Sequence, residues 1–355
     1  MGKDVKKLLK LMLEKNASDL HITANSSIHF RVDEKLLPFE EDLSPEEAKE
    51  AVYSLLKPAQ KEQFEKDKEL DFSFEMKGFA RFRVNVFYQR GSVGCAIRFI
   101  PFEIWGFDKC GIPKELALEI CKKPKGLVLV TGATGSGKST TLASMVDYIN
   151  STKQNHIITI EDPIEFVYRN KKSIVNQREV YSDTSSFGAA LKHVLRQDPN
   201  IILIGEMRDL ETIESALVIA ETGHLVFATL HTSDASQTIN RIVDVFPAYQ
   251  QQQIRTQLSF VLLAVLSQQL IPHSSGKGRV LATEVLITNP AVKSLIREGK
   301  IHQIYSTIQT SQKEHMRTMN QSLADLCKKG LITKDAAFSK SIYPDELKRL
   351  MGLEK

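Results

Sequence analysis

Residues Gly132 to Ser139 read GATGSGKS and fill the pattern G-x-x-x-x-G-K-[ST]. Before them stands a short apolar, β-branched run, Gly126 to Thr131 (GLVLVT). After them Leu142, Met145, Val146 and Ile149 recur at helical spacing. Strand, glycine turn and helix in this order make a phosphate-binding loop. Gly132, Gly135 and Gly137 let the backbone turn tightly, so that successive N–H groups and the positive end of a helix face the phosphates. Lys138 then meets the β and γ phosphates of a nucleotide. Ser139 offers its hydroxyl to magnesium, which takes a few hard oxygen ligands beside phosphate oxygens. Thr134, Ser136 and Thr140 complete the set of candidate nucleotide contacts.

Nucleotide hydrolysis also needs a carboxylate beside the attacking water, a metal site, and cations to offset charge on the transferring phosphoryl. Ile201 to Glu206 (IILIGE) has the form of a buried strand ending in a glutamate, the Walker B arrangement, with Glu206 at the edge where open α/β sheets bind ligands. An ordinary Walker B places Asp just before the Glu. Here that position is Gly205. A second acidic strand end, Glu161-Asp162-Pro163, follows Ile157 to Ile160 and can supply the missing carboxylate from a neighbouring strand. Glu206 is therefore expected as catalytic base and Glu161 as orienter of water or Mg, with the reverse assignment left open. His224 and His231 flank the strand HLVFATLH; His231 is a candidate sensor of the γ-phosphate, His224 a further nucleotide contact, and a hydrogen-bonded histidine pair at a sheet edge fits the same spacing.

The period changes in the first hundred residues. Val5, Leu8, Leu9, Met12 and Leu13 mark an amphipathic helix, and Ser44-Pro45-Glu46-Glu47 carries the capping box of another. From Phe79 to Tyr88 the pattern has period two: Ala80, Phe82, Val84, Val86 and Tyr88 face one way, Arg81, Arg83 and Asn85 the other. Gly94 to Ile100 repeats it, with Arg98 on the polar face. These arginines have no acidic partner nearby in sequence, which makes Arg81, Arg83 and Arg98 candidate arginine fingers. Residues 1–100 read as a small α/β domain with an antiparallel sheet. Residues 101–113, with two prolines, two glycines and the only Trp, read as a linker. From residue 114 apolar strands alternate with helices in the manner of a three-layer α/β core. After Pro247 the character turns helical, with Gln250 to Leu270 as one long helix, a strand near Val280 to Ile287, and a helical subdomain over about 247–355.

Composition narrows the function classes. The chain has 355 residues, 42% hydrophobic and 25% charged, as an ordinary globular protein does. Its 47 basic against 43 acidic residues give a net charge of +4, too little for a strong field on nucleic acid. The longest apolar stretch, within Phe260 to Leu266, falls far short of the roughly 20 residues that span a bilayer, so direct membrane insertion is not expected. The N-terminus has neither a cleavage site nor a residue pattern for myristoylation at Gly2, so a cytoplasmic location is expected. Cys95, Cys110, Cys121 and Cys327 form no C-x-x-C pair and read as buried reduced thiols.

Four ordered motifs then stand together: GATGSGKST at 132–140, ITIEDPIEF at 158–166, IILIGEMRDLETIESAL at 201–217 and HLVFATLHTSDASQTINRI at 224–242. In them the chain resembles the type IV pilus and type II secretion ATPases over nearly its whole length. The Gly205-Glu206 ending is itself what that family shows. The resemblance implies a PAS-like N-terminal domain, a RecA-like P-loop ATPase domain and a homo-hexamer that hydrolyses ATP with Mg. It also implies arginines of the small domain approaching the phosphates, with Arg81, Arg83 and Arg98 in matching places. The motor would act on an inner-membrane pilus platform protein, from the cytoplasmic face of the pilus machine. Members that extend pili or secrete protein usually carry an extra N-terminal domain and a four-cysteine zinc insertion. Neither is expected from this sequence, so the retraction branch, which serves pilus disassembly and twitching motility, fits better. The late AIRNLRA segment of that branch is matched only in part, by Ala291, Leu295 and Arg297 of Ala291 to Arg297. A pilus-assembly or secretion ATPase, a nucleic-acid motor and a slow nucleotide-dependent binding switch are the competing readings.

Overall fold

The computed structural model describes residues 4–32, 35–76, 80–100 and 103–353, with Glu40 and Glu41 described in backbone only. Gly2, Phe79 at the head of its expected strand, and Pro101 and Phe102 of the expected linker lie outside the described residues. The chain divides into two compact units. One is Met1–Glu103 with Glu165–Val167; the other is Ile104–Ile164 with Tyr168–Lys355. The division after Glu103 falls inside the 101–113 stretch, where a short helix, Phe107–Cys110, also forms.

The first unit is built on an antiparallel sheet. Its strands are β1 (Asp19–Ile22), β2 (Ser26–Val32), β3 (Lys35–Leu43), β4 (Glu69–Met76), β5 (Ala80–Gln89) and β6 (Ser92–Ile100), in the order β3-β2-β1-β6-β5-β4. Period two appears as burial: Ala80, Phe82, Val84 and Val86 are fully buried, and Arg81, Arg83 and Asn85 between them are half-buried. The helix Val5–Glu14 buries Val5, Leu8, Leu9 and Met12 in the same core, and Asp4 caps it by accepting from the Lys6 N–H. Helix Pro45–Tyr53 starts with the expected capping box. Glu47 N–H donates to Ser44 Oγ at 3.2 Å and Ser44 N–H to Glu47 Oε2 at 2.9 Å.

In the second unit the strands are β7 (Gly126–Thr131), β8 (His156–Glu161), β9 (Ile174–Glu179), β10 (Ile201–Ile204), β11 (Leu225–Leu230), β12 (Leu262–Pro272) and β13 (Arg279–Ile287). Their order is β13-β12-β7-β11-β10-β8-β9, all parallel to their neighbours except β13, which runs antiparallel to β12. Every residue of β7, β10 and β11 is buried, because helices cover both faces of such a sheet and leave no polar alternation.

One sequence expectation is corrected here. The helix expected over Gln250 to Leu270 stops at Val261, and Leu262–Pro272 is a strand seated between β7 and β13. The run Phe260 to Leu266 (FVLLAVL) is apolar throughout, so it fits a buried helix and a doubly buried strand equally. Pairing with β7 decides between them. Short helices do dominate the remainder, ending at Pro344–Leu350. The thiols also differ: all four cysteines are free, with Cys95 and Cys121 buried but Cys110 and Cys327 only partly so. Burial pushes the Cys95 and Cys121 thiols up to about 12.

Candidate nucleotide site

Because β7, β8, β10 and β11 run parallel, their C-terminal ends share one edge, and four of the sequence-predicted features stand on it. Past β7 the chain turns through Gly132, Gly135 and Gly137 at φ of 138°, 78° and 90° and enters the 15-residue helix Lys138–Thr152. A Cβ at Gly132 would lie 2.4 Å from the Gln268 carbonyl oxygen and 2.6 Å from Ser136 Oγ, so only glycine fits. Lys138 is buried, and its ammonium donates to the loop carbonyls of Gly132 at 2.8 Å and Ala133 at 3.0 Å. The Ser136 hydroxyl is buried with no hydrogen-bond partner. Thr134 is exposed, while Ser139 and Thr140 are half-buried at the helix start. A cradle of glycines, an orphaned hydroxyl, a curled lysine and a helix N-terminus suit a polyphosphate group.

Glu206 stands two residues past the end of β10. Its two oxygens are both engaged: Arg208 Nη2 lies 2.7 Å from Oε2, and His231 Nε2 lies 3.2 Å from Oε1. Burial pushes this carboxyl up, but the hydrogen bond from Arg208 and the nearby His231 ring outweigh it, and the group sits below the usual carboxylate range. Arg208 in turn is raised, chiefly by the hydrogen bond to Glu206. Glu206 is therefore charged at neutrality. That suits a hydrogen-bond acceptor for water better than a strong proton acceptor. His231 follows the last residue of β11, so strand pairing alone brings it beside Glu206.

Gly205 has a steric reason. A Cβ there would lie 3.2 Å from both Glu161 Cα and the Ile160 carbonyl oxygen, and Gly205 N–H donates to that same carbonyl at 2.8 Å. A side chain at this position would push into β8. The carboxylate from β8, Glu161, is buried; it accepts from Thr159 Oγ1 at 2.6 Å and Gln177 Nε2 at 3.2 Å.

His224 does not join this edge. It precedes β11, and its carbonyl accepts from Gly126 N–H at the start of β7, which places it at the opposite end of the strands. Its Nδ1 lies 3.1 Å from the Ile219 carbonyl oxygen. The expectation of His224 as a nucleotide contact is corrected accordingly: six strand residues, about 20 Å, separate it from the loop edge.

The arginines share one face of the first unit's sheet, as expected, yet Arg83 and Arg98 have acidic partners. Arg98 Nε lies 2.8 Å from Asp19 Oδ1 and Arg83 Nε 3.8 Å from Asp71 Oδ1, while Arg81 Nη2 donates to Ser73 Oγ. Both carboxylates come from strands that pair across the sheet, Asp19 on β1, far from Arg98 in sequence, and Asp71 on β4, the strand before that of Arg83. Local sequence could not show them.

Sequence reading missed two residues at the loop edge. Arg208 lies inside the quoted motif at 201–217 and was signalled only by its sign and its distance of two from Glu206. Gln268 on β12 is buried, and its Nε2 donates to Thr141 Oγ1 at 2.7 Å in the helix after the loop. The helical reading of this segment hid it.

A parallel sheet with a glycine-lysine loop after one strand, one intervening strand, and a carboxylate after the next defines a P-loop nucleoside triphosphatase. The chain belongs to the family described as Type II/IV secretion system protein, which matches residues 1–337. It is 49% identical over 345 residues to a Pseudomonas aeruginosa protein named Type IV pilus retractation ATPase PilT, covering 96% of this chain and 99% of that one. It is 51% identical over 296 residues to a Neisseria gonorrhoeae protein named Twitching motility protein, covering 83% and 79%. A solved structure described as the pilus retraction motor PilT and bound ADP matches with TM-score 0.92 at 52% identity, over 98% of this chain and 99% of that one. The resemblance read from the four motifs holds over nearly the whole chain.

Proposed function

We propose that this chain is a Mg-dependent ATPase that powers retraction of type IV pili. The observation that carries the chemistry is Glu206, held by Arg208 and His231 at the same sheet edge as the phosphate loop. Similarity along the full length to proteins named for retraction and twitching motility supports the direction. Lys138 leaves its loop carbonyls to meet the β and γ phosphates, and the loop N–H groups and Ser136 hydroxyl complete the cradle. Ser139 and Glu161 are the residues that would hold Mg, directly or through water; the ion supplies positive charge beside the phosphate oxygens. Glu206 accepts the hydrogen bond of the attacking water, and His231 holds that carboxylate in place. Arg81, Arg83 and Arg98 are proposed as the cations that offset charge on the transferring phosphoryl. A homo-hexameric ring that works on an inner-membrane platform protein, from the cytoplasmic side, completes the proposal. Among the described residues no helix is long and apolar enough to cross a membrane.

The test is a count of surface pili on cells of the source organism carrying Lys138→Ala, alongside ATP turnover of the purified variant. Turnover should vanish. Excess pili on non-motile cells are expected for a retraction motor, whereas bald cells would make it an assembly motor.

A further inference from the structure

Glu284 on β13 is a buried carboxylate that plays no part in the site described above. It is 3% exposed. Its Oε1 accepts the Ala235 N–H at 2.9 Å, and the carboxylate also accepts the Met319 N–H. Ala235 and Met319 are the first residues of two ten-residue helices, Ala235–Asp244 and Met319–Lys328. One side chain thus receives the positive ends of two helices. The first of these helices begins four residues after His231, through the turn Thr232-Ser233-Asp234.

The same carboxylate belongs to a buried polar row that starts beside the phosphate loop. Thr131, the residue before Gly132, pairs with Ser267, and Ser267 pairs with Glu284, so the three side chains share one sheet face. Thr131 Oγ1 donates to Ser267 Oγ at 2.9 Å, and both residues are wholly buried. From Met319 the row continues into the C-terminal helices, where Asn320 Nδ2 donates to Glu346 Oε2 at 2.7 Å.

We infer that Glu284 is a positioning residue for ATP hydrolysis: by holding the first N–H of helix Ala235–Asp244 it fixes the turn that carries His231 and keeps that ring on Glu206. The inference rests on the role proposed above for His231. A glutamine would keep one acceptor oxygen and turn an NH2 donor toward the helix ends, so the carboxylate is the side chain suited to receive both N–H groups. Burial chiefly, with Asp234, the cap of the first helix, and Glu346, on helix Pro344–Leu350, pushes Glu284 up to about 7 against the Ala235 and Met319 hydrogen bonds. Tyr305 of helix Ile304–Thr310 also feels its charge. Protonation would turn one acceptor oxygen into a donor facing the helix ends. The clamp therefore weakens as pH falls through about 7.

The experiment is a double-mutant cycle of Glu284→Gln and His231→Gln, read as kcat and KM for ATP on the full chain between pH 6 and 8. Glu284→Gln should lower kcat about tenfold or more, since small displacements of a catalytic group are costly, while KM stays within about twofold. The rise of wild-type kcat through neutrality should flatten in Glu284→Gln, and the double variant should be no slower than the slower single one. Additive losses, or a Glu284→Gln enzyme with wild-type kcat, would overturn the inference alone. A silent His231→Gln would remove the proposed role of His231 and this inference with it. If Glu284→Gln does not fold, Glu284→Asp, which keeps the charge one methylene short, takes its place in the same cycle.

Discussion

The two sheets of this protein handle charge in opposite ways. In the antiparallel sheet of the first unit, β5 alternates fully buried Phe82, Val84 and Val86 with half-buried Arg81, Arg83 and Asn85, so ionic groups lie across the middle of a face. In the parallel sheet of the second unit, β10 is buried at every residue, and its first ionic group, Glu206, comes only after the strand has ended. The difference follows from what covers each face. A sheet with one polar face can pair Arg98 with Asp19 across neighbouring strands, whereas the enclosed strands β7, β10 and β11 carry no ionic group along their length and leave such groups to their ends. Catalytic groups therefore collect at one edge of the second unit, because parallel strands finish together.

The contrast can be broken by substitution, beginning with the largest effect. Phe82→Ala removes a wholly buried ring from the core face of β5 and should cost about 3–5 kcal/mol, read by denaturant unfolding of the full chain. A cost below about 1 kcal/mol would mean that this face is not a packed core. Gly205→Ala presses a methyl group against the backbone of β8 at 3.2 Å and should cost about 1–3 kcal/mol, with loss of turnover as Glu206 and Glu161 shift. Unchanged melting and turnover would show that β8 and β10 have slack there. Arg83→Ala, next to Phe82 on the opposite face, breaks an exposed ion pair with Asp71 and should cost less than about 1 kcal/mol. Were Arg83→Ala as damaging as Phe82→Ala, the polar face would be structural rather than reserved for a ligand.

These features were not equally legible in the sequence. The phosphate loop was readable because its glycines serve local backbone needs, and the capping box at Ser44 because both partners lie within one helical turn. Period two disclosed the face of β5 for the same reason: a strand alone fixes which residues share a side. Glu206 was legible from its place after an apolar run. What remained hidden depends on pairing between distant segments. Leu262 to Leu270 reads as a helix until β7 is placed beside it, and with that error Gln268 and the row Thr131, Ser267 and Glu284 disappear from view. Asp19 and Asp71 were invisible as partners because they lie on other strands than the arginines they hold. His224 misled because it flanks the same strand as His231, and only strand direction separates the two ends.

The central claim is that Glu206 acts on the water that attacks ATP, while nucleotide is held elsewhere, by the loop at 132–140. Glu206→Gln tests it most directly, with ATP affinity and turnover measured on the same preparation. The account predicts nucleotide binding within about threefold of wild type and turnover reduced about a hundredfold or more. Near-normal turnover would contradict it and would move the catalytic role to Glu161.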